Sequence, residues 1–287
     1  MRAQITLTVP EAKALIAKAV ASLPEVRRAL ENGKILLKGG TTVSAIAEEL
    51  IGIPLRISGR VTPRGTVSAK RQRDEHPHSV LIEGGRWRNV DHAIVEEVVK
   101  MGRGDVVIIG ANAIDRDGGA AMMIGAPGGG NPGRALTAMM AEGPTMIIAS
   151  GLEKLIPGTI EEAVKACGRK GADVAYGMAV GLVPLVGKLV TEREAFSILA
   201  DVKCTVIGAG GISGAEGSTT VVVEGERGEV EKILRVVGSI KGAKTSGFQP
   251  SLEECEAWMG NCGDHLSCIY IQGRAGGERS STGEGGR

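Results

Sequence analysis

Aromatic side chains are nearly missing from this 287-residue chain: Phe, Tyr and Trp occur twice each. So few rings leave almost no stacking surface for single-stranded nucleic acid. An excess of charge of one sign is missing too. A formal net charge of +1 offers no global field for nucleic acid or an anionic membrane. No apolar run is long enough to span a bilayer, and the longest, Met178 to Gly187, is interrupted by Pro184. Residues 1–23 lack the basic start, continuous apolar core and small-residue cleavage site of a secretory signal. The five cysteines are an odd number, which suits a reducing compartment better than a disulfide framework. A cytoplasmic protein with no nucleic-acid partner and no membrane partner is expected.

Glycine, by contrast, is abundant, with 44 residues in a chain that is otherwise globular in composition. The glycines gather at the ends of apolar runs, which is loop chemistry. Ile35-Leu36-Leu37, Asp105 to Ile109, Ala120 to Ile124 and Thr145 to Ala149 read as short buried strands. Helical stripes lie between them, starting near Pro10, Thr41, Asp91 (running to Met101), Asn131 and Thr159. Thr159 with Glu162, and Thr191 with Glu194, form capping boxes. This alternation predicts βαβ units, hence an α/β fold with a mainly parallel open sheet and flanking helices.

Residues 1–187 are expected to form the α/β ligand-binding domain, with 245–272 as a candidate completion. Residues 188–244 read as a smaller α+β domain of α-β-β-α order, and the Gly/Ser/Arg-rich stretch 273–287 as a disordered tail. Residues 53–85 are less regular. Their basic residues (Arg56, Arg60, Arg64, Lys70, Arg71, Arg73) form either a solvated excursion or a loop that closes over an anion.

The stretch Val206 to Gly214 imitates a dinucleotide fingerprint, but its context fails. About ten residues separate the two β-rich runs around it, fewer than a parallel crossover needs. A loop between antiparallel strands is expected there, serving as a lid or a subunit contact, and no cofactor is assigned.

Three other turns follow strands. Lys38-Gly39-Gly40-Thr41-Thr42 enters a helix, where free N–H groups and the helix dipole favour an anion. Gly110-Ala111-Asn112-Ala113-Ile114-Asp115 places Asn112 and Asp115 beyond a strand's carboxyl end, where open α/β sheets bind ligands. Asp115 could equally be only the start of a turn. The third turn, Gly125 to Arg134, carries Gly128, Gly129, Gly130 and Asn131 into a helix whose first turn holds Arg134. A cation is disfavoured there unless an anion is near.

The ordered set of these turns, with Leu152-Glu153-Lys154 after a further strand, resembles the isomerase/CoA-transferase superfamily over about residues 10–187. The resemblance implies a phosphate at Gly39 to Thr42, Asp115 near a sugar chain, and Lys154 as an effector-site lysine. It departs from the ribose-5-phosphate isomerases, because the lysine before and the glutamate after the glycine loop are absent. Asn112 stands where an acid is often found. The expected function is therefore binding of a small anionic metabolite, a sugar phosphate, with isomerisation by proton transfer if it is an enzyme. Asp115 and Glu153 are the candidate acid–base groups. The alternatives are a non-catalytic sensor using the same pocket and an acyl-CoA enzyme. A homo-oligomer is expected.

Cys255, Cys262, His265 and Cys268 could bind zinc, but no cysteine pair has the usual gap of two to four residues, so packing is the expected role. Cys167 and Cys204 read as core.

Overall fold

Apolar runs without polar alternation must be covered on both faces, and that requirement shapes the molecule. The computed structural model describes residues 1–68, 76–253, 262 and 265–271. Lys70, Arg71 and Arg73 of the basic segment, Cys255, and the tail 273–287 lie outside the described residues.

The chain opens with strand β1 (Arg2–Leu7), then helices α1 (Val9–Ser22) and α2 (Pro24–Asn32). Strand β2 (Lys34–Lys38) leads into α3 (Thr41–Ile51). Two hairpins follow, β3 (Gly59–Thr62) with β4 (Gly65–Ser68), and β5 (Ser79–Glu83) with β6 (Arg86–Asn89). Next come α4 (Ile94–Val98), β7 (Val106–Gly110), β8 (Ala113–Ile114), β9 (Ala120–Ile124), α5 (Gly130–Glu142) and β10 (Thr145–Ala149). The chain continues through α6 (Ile160–Ala166), β11 (Gly181–Leu185), β12 (Lys188–Val190) and α7 (Glu192–Leu199). It then forms β13 (Val202–Gly210), β14 (Ser218–Gly225) and α8 (Arg227–Ile240).

The main sheet has six strands in the order β12-β10-β7-β2-β5-β6. It is parallel from β12 to β2, but β5 and β6 run antiparallel. The expected mainly parallel sheet is thus a mixed one. The turn Gly84-Gly85 has φ of 56° and 72°, the geometry that closes a tight hairpin and removes any crossover helix between β5 and β6.

Alternate residues of the sheet feed two cores. Ile35, Leu37, Ile108 and Ile147 face α1, α3, α7 and α8 in one apolar cluster. Leu36, Val107, Ile109 and Ile148 face α4, α5 and β9 in another. The α-β-β-α unit is α7-β13-β14-α8, and β1 joins it as a third strand, giving the antiparallel order β1-β14-β13. The stretch that imitates a dinucleotide fingerprint lies on an antiparallel pair: Val206–Gly210 belong to β13 itself, and only the residues after Gly210 turn towards β14. Val202, Val221, Val230 and Ile233 of this unit share the cluster of Leu15 and Ile35. The residues from 243 to 252 return to α3, where Ser246 Oγ meets Ser44 Oγ at 2.7 Å and Ile57 N donates to Ser251 Oγ at 2.9 Å.

Among the described residues no helix is long and apolar enough to cross a membrane. The helix expected from Asp91 to Met101 is only Ile94–Val98. Asp91 does not cap it; its carboxylate accepts from the N–H groups of His78 and Ser79 and pairs with Arg56 at 3.1 Å.

Candidate functional site

The chain leaves β2 for the β5 side of the sheet and returns to β7 on the other side, so the order reverses between β2 and β7. The carboxyl ends of those strands are Lys38 and Gly110. Just beyond them the Lys38 side chain reaches Met122, and the Asn112 side chain accepts from the next amide of the same strand, Met123.

Gly39 is fixed by contact: its N–H donates to the His78 carbonyl at 2.8 Å, and a Cβ there would stand 2.3 Å from that oxygen. Gly40 then precedes α3, whose N-terminus has no side-chain cap. Thr41 is half-buried and Thr42 buried in its first turn. Lys38 has the same strand parity as Leu36 and points to the α5 side of the sheet. Its Nζ is 2.9 Å from Met122 Sδ, and no carboxylate pairs with it among the described residues. Burial lowers its pKa to about 8. Ser79 lies opposite Lys38 in the β2–β5 register, and its hydroxyl is buried with no hydrogen-bond partner among the described residues. The His78 ring donates through Nδ1 to the Arg56 carbonyl at 2.8 Å. Burial first, and then the charge of Lys38, drive its pKa to about 4, so the ring is neutral.

Asn112 is committed on one side. Its N–H donates to the Ala121 carbonyl at 2.8 Å, and its Oδ1 accepts from Met123 N at 2.9 Å. These bonds pin β9 across the sheet edge, and β9 delivers the glycine loop. Gly128, Gly129 and Gly130 have φ of 59°, 81° and 59°. Three consecutive left-handed residues cannot be built from side-chain-bearing residues without strain, which explains the glycine run. Gly129 and Gly133 pack over Ile124, two residues along β9 from Met122. The loop therefore stands about 7 Å further along the same strand from the Lys38 contact. Asn131 and Arg134 are exposed in the first turn of α5, which also has no side-chain cap. Arg134 makes no ion pair among the described residues. Its Nε lies 3.9 Å from where a Cβ on Gly128 would stand, so the guanidinium folds back over the loop.

Asp115 does not join this group. Its Oδ1 accepts from Asp117 N and Gly119 N, and its Oδ2 from Ile160 N. The Ile160 bond is the main reason its pKa is lowered. A weakly basic carboxylate committed to backbone amides closes a turn and ties it to α6, the turn-forming role that the sequence leaves open beside that of a base.

Glu153 and Lys154 lie one strand further along, after β10. Glu153 pairs with Lys13 of α1 at 3.4 Å, and Lys154 stands 4.0 Å from the same carboxylate. Both Glu153 oxygens are buried without a hydrogen bond among the described residues, as is the hydroxyl of neighbouring Ser150. Glu192, at the start of α7, accepts from Leu152 N at 2.8 Å. Burial, helped by nearby Glu153 and Glu194, raises its pKa to about 7. Burial also lowers the pKa of Lys13, against the opposing pull of Glu153. Lys13, Ser79 and Glu192 were not legible as site residues, because folding alone brings them to this edge.

His265 Nε2 meets Ser68 Oγ at 2.9 Å, and Cys262 and Cys268 are buried. Two surface cavities lie off the strand-end group. One, of about 540 Å³, runs between α1, α3 and residues 243–249, with Lys13 on its wall. The other, of about 590 Å³, lies at the amino ends of β7 and β10, between Arg28 and Arg103. No known protein family, curated protein or solved structure matches this chain.

Proposed function

We propose that the protein binds a small phosphorylated metabolite, a sugar phosphate, across the carboxyl ends of β2, β7 and β9. One observation carries the reading. Two helix N-termini without side-chain caps, those of α3 and α5, and two cations without carboxylate partners among the described residues, Lys38 and Arg134, follow or end the strands β2 and β9, which the Lys38–Met122 contact brings together. Each element is tolerable alone, but together they leave positive potential uncompensated, and a phosphate answers it. Lys38 and the glycine loop both lie along β9, a spacing that suits a ligand of a few carbons with an anionic end. The two surface cavities offer mixed charges and no such focus.

Acid–base chemistry on that metabolite is a second reading, favoured by Glu192, whose pKa near neutrality suits proton transfer. Asp115 has no part in it. If turnover is absent, the same site describes a sensor. Ile212 is 81% exposed on the loop between β13 and β14, which supports a contact between copies of the chain.

Calorimetric titration with ribose 5-phosphate tests the binding. Arg134→Ala should weaken affinity about ten- to a hundredfold, from the loss of one charge-assisted contact of about 1.5–3 kcal/mol. Its melting temperature should barely move, since the side chain is exposed. Affinity equal to that of the unsubstituted chain would remove the glycine loop from the site.

A further inference from the structure

We propose that Lys38 is a nucleophile that forms an imine with a small aldehyde or ketone whose anionic end rests on the glycine loop. This rests on the phosphate-binding reading above and adds a covalent step to it. Three observations place the step at Lys38. Its Nζ touches only the uncharged Met122 thioether, so no carboxylate among the described residues holds it as an ammonium ion. Lys38 ends β2 at the carboxyl edge of the sheet and is only partly buried as a residue. Ser79, fully buried and directly across the β2–β5 register, presents a hydroxyl with no other partner among the described residues. Directly opposed residues of an antiparallel pair have neighbouring side chains on one face, so this hydroxyl is placed beside the lysine to handle a proton.

Burial also maintains a supply of free amine. With a pKa of about 8, roughly a quarter of Lys38 is neutral at pH 7.5, against about a thousandth of an ordinary lysine. The start of α3, three residues further on, adds a positive dipole end that disfavours protonation in the same direction.

In the step itself, the amine lone pair attacks the carbonyl carbon, and the carbonyl electrons move to oxygen, which takes up a proton. Nitrogen releases a proton, and the hydroxyl accepts one and departs as water while the nitrogen lone pair closes the C=N bond. The sum is amine plus carbonyl plus one proton giving iminium plus water, with no oxidant or reductant. The iminium draws electrons from the neighbouring carbon, which makes its C–H bond acidic. The substrate class is therefore a phosphorylated aldose or ketose in its open-chain form.

Reductive trapping tests this on the full chain. Glyceraldehyde 3-phosphate is added with sodium cyanoborohydride, and the adduct is mapped by peptide mass spectrometry. The expected result is labelling concentrated on Lys38, saturating at a concentration at least tenfold lower than uncharged glyceraldehyde needs. Inorganic phosphate should suppress it, and its rate should rise through pH 8. Labelling of Lys38 no faster than that of exposed Lys165 or Lys203 overturns the proposal, whatever any variant does. Lys38→Met should abolish the fast label while keeping its circular dichroism. If Arg134→Ala still weakens ribose 5-phosphate binding but Lys38 is not trapped, the imine fails alone. If neither effect is seen, the binding reading fails with it.

Discussion

Glu192 shows how two forces on one side chain are decided by magnitude. It occupies the first position of α7, where the helix dipole and the Leu152 amide favour a carboxylate. Burial opposes them and wins, because only 1% of the residue is exposed. Its folded pKa, raised from 4.5 to about 7, means that the native state holds the proton more tightly than the unfolded chain. The resulting stability is complete below pH 4.5 and is lost as pH rises through 7. The shift corresponds to roughly 3 kcal/mol. Glu192→Gln keeps the hydrogen-bond acceptor and removes the titration. Thermal unfolding of both proteins at pH 5.5 and pH 8 should therefore show the variant gaining relative stability at the higher pH. An equal difference at both values would mean that Glu192 is ionised throughout. The chain signals this residue only as the position after a capping threonine. The burial that changes its chemistry comes from α1 and the turn after β10, which no local pattern reveals.

At the level of elements, the readings that depend on three or four adjacent residues are the ones the structure reproduces. Thr159 with Glu162 and Thr191 with Glu194 close their boxes as spaced. The glycine turns before α3 and α5 are likewise local, so Gly39 to Thr42 and Gly128 to Arg134 were legible as helix starts. What was not legible depends on remote partners. Whether β5 runs with or against β2 is written in no single segment. Asp91 looks like a helix cap until Arg56, His78 and Ser79 claim it. A third box, Thr8 with Glu11, straddles the Pro10 signal. Glu11 does more than cap α1: its carboxylate also accepts from Gly242 N and Lys241 Nζ, both at 3.0 Å. Glu11→Ala thus strips the cap and the tether at the end of α8 together. It should cost about 2–3 kcal/mol, above the ~1 kcal/mol of a simple cap. Urea unfolding measures this, and a loss of 1 kcal/mol or less would show that the α8 tether adds nothing.

Over the whole molecule, the six-stranded sheet and β9 carry the candidate site, and the three-stranded sheet β1-β14-β13 braces the six-stranded one. The brace depends on β1, whose Ile5 and Leu7 are buried in the core shared with α1 and α8. Deleting residues 1–8 removes these two side chains, each worth about 1.5–3 kcal/mol. It also leaves β14 with an open backbone edge. The truncated chain should unfold at lower urea and associate as it does so, observable by size-exclusion chromatography. An unchanged urea midpoint would mean that the three-stranded sheet holds without it.

That same strand sets a timetable for biosynthesis. Thr6 meets Thr220 across 214 residues of chain. At the usual rate of synthesis, about 5–20 residues per second, the interval between making the two is roughly 10–40 s. Throughout that interval Ile5 and Leu7 trail from the ribosome without β14, beside the nascent apolar strands of the main sheet. The nascent chain therefore carries an unpaired sticky strand throughout that interval, and a slowed ribosome would lengthen its exposure to chaperones and to other chains alike.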